Sequence, residues 1–271
     1  MTGRLSRFLL TALVFGYAFL HAPIATLIVY SFNDSRLVTV WSGFSLRWYA
    51  ALLENEALLD AAWVSLRVAL LAATGATVLG TLAGFALARR RRFRGRTLLA
   101  AMLATPLVMP EVILGLALLL LFVASEVLVG WPTERGIGTI AVAHVTLAMA
   151  YVAVVVQSRL GGLDPAIEEA AADLGARPAT VFVRITLPMI APGVVAGWLL
   201  AFTLSLDDLV LASFVSGPGA TTLPMAIFSS VRMGVSPQIN ALATVIVVVV
   251  AAGVLAAGRL VFANGKKTYS S

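Results

Sequence analysis

The stretch Asp164-Pro165-Ala166-Ile167-Glu168-Glu169-Ala170-Ala171-Ala172-Asp173-Leu174-Gly175, followed by Pro178 and by Ile185-Thr186-Leu187-Pro188, lies between long apolar runs yet is written as two short helices. Asp164 is placed as an N-cap, Pro165 suits the first helical position, and Glu168 and Glu169 fall near the positive end of the helix dipole. Gly175 is a natural stop. A second helix is expected to start at Pro178 and to run through Phe182 to Ile185, with Pro188 marking the start of a new apolar run. Such an L-shaped pair has little reason to interrupt a membrane-length pattern unless another molecule docks on it.

The pattern around it is that of a membrane protein. With 271 residues, 60% of them hydrophobic and 12% charged, the chain is too apolar for a soluble domain and long enough for several spans, so residues 1–271 are expected to form one transmembrane domain. There is no cysteine, which removes disulfides and thiolate chemistry, and His21 and His144 alone are too few for an imidazole metal site. The net charge of +6 invites a nucleic-acid reading, with Arg89-Arg90-Arg91-Arg92-Phe93-Arg94-Gly95-Arg96 as the patch. That run sits between two apolar stretches, where a short cytoplasmic loop carries arginine and lipid headgroups supply the counter-charge, so a lipid membrane and not a nucleic acid is the expected partner.

Six apolar runs are long enough to be spans: Phe8 to Tyr30, Val64 to Ala88, Leu98 to Ala124, Ile137 to Gln157, Met189 to Val215 and Ile239 to Phe262. An even count puts both termini on one side. Arg4, Arg7, the arginines of residues 89–96, Arg159, Arg177, Arg184, Arg259, Lys266 and Lys267 fall on that side, against Arg36, Arg47, Arg135 and Arg232 on the other. The termini and the 164–188 loop are therefore expected to be cytoplasmic. The first run is too long for the core of a cleavable signal peptide and reads as a retained helix. In the outer loop from Ser31 to Ala62, Trp41, Phe44, Trp48 and Tyr49 read as an aromatic belt, with Trp48 as the candidate for a share in the outer mouth of a cation path.

Acidic residues fall inside the runs: Glu111 in the third and Asp207-Asp208 in the fifth. Each costs about 2.5–3.5 kcal/mol near the bilayer centre and so needs a partner or a purpose. At about 1.5 Å per residue, Glu111 lies roughly 20 Å above Thr97 and Asp207 roughly 27 Å above Met189, depths that fit one vestibule. Arg67 is the only basic residue counted at similar depth, so neutralisation within the chain looks scarce. On a continuous helix the two aspartates diverge by about 100°. Asp208 then shares a face with Gly197, Ala201 and Ser205, a small and polar stripe suited to a lumen or to a close helix contact, whereas Asp207 shares one with Leu200, Thr203, Leu204 and Leu211. Asp208 is accordingly the first candidate for a cation contact, unless a break near Ser216-Gly217-Pro218-Gly219 reorients both. Pro106 and Pro110 interrupt the third run and place Glu111 near a cavity. A carboxylate-lined path without buried arginine or lysine favours a cationic cargo over sulfate, phosphate or molybdate.

The order Glu169-Ala170-Ala171, three residues, Gly175, nine residues, Ile185-x-Leu187-Pro188 resembles the signature loop of the permeases of binding-protein-dependent ABC importers. The resemblance implies that the 164–188 loop is a coupling helix seated in a cleft of an ATPase subunit, with Glu169 as the polar contact, Ala170 and Ala171 as close-packing positions and Gly175 as the turn. A second resemblance covers almost the whole chain. The segments Ala201 to Asp208, Ser213 to Pro218, Leu223-Pro224, Gly234 to Pro237 and Asn240 to Thr244, with the Arg47-Trp48-Tyr49 and Pro110-Glu111 neighbourhoods, are similar to the C-type permeases of spermidine and putrescine importers. The run Ser213 to Met225 leans toward the putrescine type. This likeness implies an all-α type I importer permease fold with six transmembrane helices, five of them a core over about 60–262. It also implies a homologous second permease, two copies of a cytoplasmic ATPase that holds ATP and Mg, a periplasmic polyamine-binding protein, and a bacterial cytoplasmic membrane. Asp207, Asp208, Ser205, Glu111 and Glu169 occupy positions where that group carries polar residues.

The chain itself has no means of hydrolysing ATP. Its single Gly-Lys pair, Gly265-Lys266, is preceded by Leu260 where a P-loop needs glycine and followed by Lys267 where it needs Ser or Thr. No cofactor is expected in this chain. A reading from another class, a proton-coupled secondary transporter with Glu111 and Asp208 as relay, predicts an inverted repeat that the sequence does not display and leaves the 164–188 loop unexplained. Another cationic amine or a metal chelate remains open as cargo.

Overall fold

Helix is the dominant state because each backbone polar group in a bilayer must be satisfied within its own segment. The computed structural model describes residues 7–37, 40–90, 92–233 and 236–268, with side chains from 8 to 252 apart from residues 38–39, 91 and 233–235. Arg4, Arg91 and Gly234-Val235 therefore lie outside the described residues, as do the side chains of Arg7, Arg259, Lys266 and Lys267. The helices are α1 (Arg7–Ser31), α2 (Arg47–Leu53), α3 (Glu56–Arg89), α4 (Arg96–Val108), α5 (Glu111–Val129), α6 (Ile137–Gly161), α7 (Ala166–Asp173), α8 (Pro178–Val181), α9 (Leu187–Asp207), α10 (Val210–Val215), α11 (Leu223–Met233) and α12 (Pro237–Thr268). A π-helical turn, Phe182–Thr186, joins α8 to α9. Among the described residues, five helical runs are long and apolar enough to cross a membrane: Phe8–Ser31, Glu56–Arg89, Glu111–Val129, Ile137–Gly161 and Pro178–Asp207.

The chain divides into two units, residues 60–226 and residues 1–59 with 227–271. In the second of these α1 packs along α12 and α12 against α2. None of the spanning window of α1 is buried, and Phe8, Phe15 and Phe19 are among its exposed side chains, a surface suited to lipid contact. The loop after α1 is folded around Asn33, whose side chain donates to the Val40 carbonyl and accepts the Ser42 N–H. Trp48 is buried there, its indole N–H donating to the Asn33 carbonyl at 2.7 Å, with the Arg47 guanidinium over its ring and paired to Asp34. The aromatic-belt expectation suits Trp41 and Phe44, which are exposed, but Trp48 is core because its one polar atom has a partner inside the loop.

In the 60–226 unit α6 is the central helix, with 61% of its spanning window buried, and α9 packs along it. Apolar burial does not drive helices together in lipid, so the contacts depend on close approach of small residues. Ala72, Ala73 and Ala76 of α3 and Ala143, Ala150 and Ala153 of α6 are fully buried. A Cβ on Gly80 would lie 2.7 Å from the Met149 carbonyl oxygen, so only glycine permits this crossing of α3 over α6.

Two expected spans are interrupted. The run 98–124 is two helices that meet at Met109-Pro110, where both residues are extended, because a residue before proline is driven out of the helical region. Pro106 stays inside α4, so Pro110 alone makes the break. The run 189–215 breaks at Asp208-Leu209 as well as after Val215, with Asp208 extended at φ −67° and ψ 122°. No glycine or proline marks this break; a buried side-chain cluster, described next, lies at it.

Candidate functional site

The 164–188 loop is built largely as its residues dictate. Asp164 accepts the Ala166 N–H at 3.0 Å, and Pro165 flanks α7, one residue earlier in role than expected. At the other end the Ala176 N–H donates to the Ala171 carbonyl and the Gly175 N–H to the Ala172 carbonyl, a Schellman turn that needs the positive φ of +83° at Gly175. No atom lies within 4 Å of a Cβ built on Gly175, so a side chain there is opposed by backbone conformation alone, by about 1–2 kcal/mol. Gly175→Val should therefore loosen the turn and speed cleavage by a glutamate-specific protease after the exposed Glu169 in the detergent-solubilised protein. An unchanged cleavage rate would show that the turn does not depend on glycine.

The second limb differs from expectation. It does not end before Pro188 but runs unbroken from Pro178 to Asp207. Proline has no N–H to give to the carbonyl four residues back, and the chain absorbs the defect as a π turn in which the Leu187 N–H donates to the Phe182 carbonyl. α8 and α9 are thus continuous through the π turn, with no loop between them.

Adjacent glutamates take opposite roles. Glu168 faces inward: its carboxylate lies 3.0 Å from Arg89 Nε at the end of α3 and accepts the Thr186 hydroxyl at 3.0 Å, and Arg89 also donates to the Leu163 carbonyl. Phe182 packs edge-on against Phe85 of α3, with ring centroids 4.7 Å apart. Glu169 and Ala170 are exposed, Ala171 is partly covered, and Leu174 is 90% exposed. Ile185 and Leu187 are partly buried on the inner limb and Pro188 is exposed. The loop thus joins α3 through Arg89, Glu168 and Thr186 and leaves a free surface bearing Glu169, Ala170 and Leu174. The Arg89 and Thr186 partnerships were not legible in the sequence, since 79 and 18 residues separate these side chains from Glu168.

The intramembrane acids also separate. Asp208 and Ser205 are buried, at 8% and 6% exposure, against His144 of α6 at 2%. His144 Nδ1 and Ser205 Oγ are 2.7 Å apart, and His144 Nε2 lies 3.2 Å from Asp208 Oδ1, within charge-pairing distance though off the line of a well-aligned hydrogen bond. Asp208 Oδ1 also accepts the Ala212 N–H at 2.9 Å, which caps α10 and holds the helix open at residues 208–209. Of the two uses open to the Gly197, Ala201, Ser205 stripe, close helix contact is the one found: a Cβ on Gly197 would lie 3.2 Å from Val152. The expected shortage of a basic partner at this depth is corrected by His144, which lies 3.2 Å from Asp208. A lone histidine inside an apolar run was the signal for it.

Asp207 is exposed at the end of α9, and Glu111 is exposed in the first turn of α5, where the helix dipole favours its charge. Trp48 belongs to the other unit.

A family model for the inner membrane component of binding-protein-dependent transport systems matches residues 76–268. The putrescine transport system permease protein PotI of Escherichia coli (strain K12) is 62% identical over 234 residues, 86% of this chain and 83% of that protein. The spermidine/putrescine transport system permease protein PotC of the same strain is 44% identical over 249 residues, 92% and 90% of the two chains. Among solved structures, a bacterial ABC transporter involved in the import of the acidic polysaccharide alginate aligns over 96% of this chain and 98% of its own at a TM-score of 0.70 and 13% identity, which speaks to fold. The fold is that of an importer permease, and the chain is a multi-pass membrane protein.

Proposed function

We propose, since the chain belongs to the inner membrane components of binding-protein-dependent transport systems, that it is the permease subunit through which an ATP-driven importer passes polyamines, putrescine foremost. The observation that carries this reading is the 62% identity to a putrescine permease over 86% of the chain. The chain is not an enzyme; a separate ATPase supplies ATP hydrolysis. A second permease, an ATPase and a substrate-binding protein complete such a system. The finer assembly is a homologous second permease, two copies of the ATPase with ATP and Mg, and a periplasmic polyamine-binding protein, in a bacterial cytoplasmic membrane with both termini and the 164–188 loop cytoplasmic. The excess of arginine beside the loop supports that orientation.

In this reading the ATPase grips the free face of α7, around Glu169, Ala170 and Leu174. Closure of the ATPase dimer moves α7 and α8, and the unbroken path from Pro178 to Asp207 carries the motion into the membrane. The exposed carboxylates of Asp207 and Glu111, with no arginine or lysine beside them in their own spans, suit a cationic cargo. The complete complex in proteoliposomes should accumulate radiolabelled putrescine and spermidine when ATP is present, and a protonophore should not prevent it. Active ATPase without uptake of either polyamine would move the cargo to another cationic amine; loss of uptake to a protonophore at constant ATP would favour a proton-coupled transporter.

A further inference from the structure

The two ring nitrogens of His144 face two different sides of one helix break. Nδ1 meets Ser205 in the last turn of α9, and Nε2 meets Asp208 in the break itself, whose Oδ1 caps α10 through the Ala212 N–H. A broken helix inside a membrane exposes backbone groups that have no water to bind, so it needs an internal cap. A carboxylate can serve, but a buried carboxylate alone carries an uncompensated charge. His144 lies at charge-pairing distance from that carboxylate, and Leu147, Ala148 and Leu204 close the cluster around the two side chains. Asp207, the next residue toward α9, is the remaining carboxylate at this point and is exposed.

We propose that His144 is a positioning residue: it latches the break between α9 and α10 by holding Asp208 inside the helix bundle, so that Asp207 is the carboxylate left to receive the cationic substrate. The latch rests on geometry within this chain; the role of Asp207 rests on the polyamine reading above. Residues 205–212 consequently have two states open to them. With the latch made, Asp208 caps α10 and Ala212 is fully buried. With the imidazole gone, the carboxylate turns toward water and the cap is lost.

The chain has no cysteine, so one placed at Ala212 reports the latch directly. In the assembled complex, Ala212→Cys should resist maleimide labelling, and His144→Leu should raise the labelling rate by at least about tenfold, as expected when a buried carboxylate loses the partner at charge-pairing distance. Adding Asp208→Asn to His144→Leu removes the stranded charge while keeping an oxygen for the Ala212 N–H, and protection should return. Equal labelling in the wild-type and His144→Leu backgrounds would overturn the latch, and so would failure of Asp208→Asn to restore protection. In uptake assays Asp207→Asn should raise KM for putrescine by at least about tenfold, whereas Asp208→Asn and His144→Gln should lower the maximal rate and leave KM within about twofold. A KM rise in Asp208→Asn as large as that in Asp207→Asn would put Asp208 in the path and overturn the assignment. A wild-type complex that moves no polyamine overturns the cargo and the role of Asp207, while the labelling result still decides the latch.

Discussion

A complex carrying Glu169→Lys should assemble, hydrolyse ATP and fail to transport. Glu169 is exposed, and among the described residues its carboxylate makes no hydrogen bond or ion pair, so the fold does not depend on it and the change in stability should stay within about 0.5 kcal/mol. At a docking surface, reversing the charge of a contact residue typically costs about 2–5 kcal/mol, enough to reduce coupled transport by roughly 30-fold or more. The measurement is the number of polyamine molecules moved per ATP hydrolysed in proteoliposomes, with assembly checked by co-purification of the ATPase. Full transport by this variant would remove α7 as the point where the ATPase acts.

Arg89→Ala should affect both stability and coupling. Arg89 and Glu168 are each 17% exposed, and removal of the guanidinium strands a mostly buried carboxylate whose remaining partner is the Thr186 hydroxyl. Partial solvation discounts the loss to about 1–3 kcal/mol. The α7 and α8 limbs would then be free of α3, so that a push from the ATPase is spent in the loop, and transport per ATP should fall while the helices still form. Glu168→Gln, which keeps an oxygen for Thr186 but not the charge, should be milder. The exchange Arg89→Glu with Glu168→Arg should recover part of the coupling, short of wild type because the bonds to Leu163 and Thr186 are built for the native order. Wild-type transport by Arg89→Ala would show that the ion pair plays no part in transmission.

Glu168 and Glu169 are adjacent yet have opposite surroundings, which no short-range pattern distinguishes. Both lie in the first turn of a helix, as their distance to Pro165 predicts, and the family motif singles out Glu169. Which of the two turns inward depends on the face of α7 that meets α3, and that face is chosen by Arg89 and by the Phe85 and Phe182 contact. The aspartates repeat the lesson. A helical wheel gave Asp208 the small-residue face, and that face is the one buried, but the wheel assumes a continuous helix and has no place for a break between Asp207 and Leu209.

By itself the sequence determined what short-range chemistry can decide: membrane-length apolar runs, the break at Pro110, the Schellman turn at Gly175 and the helix start beside Asp164 and Pro165. These follow from backbone sterics and hydrogen bonds among residues a few positions apart, which hold wherever the segment sits. The tertiary structure alone decided that Glu168 anchors, that the second limb continues into α9, and that Asp208 is drawn inward by a histidine 64 positions away while Asp207 is left outside. The physical reason is that a charge in an apolar interior is governed by whichever partner reaches it, and packing brings that partner from a distant part of the chain.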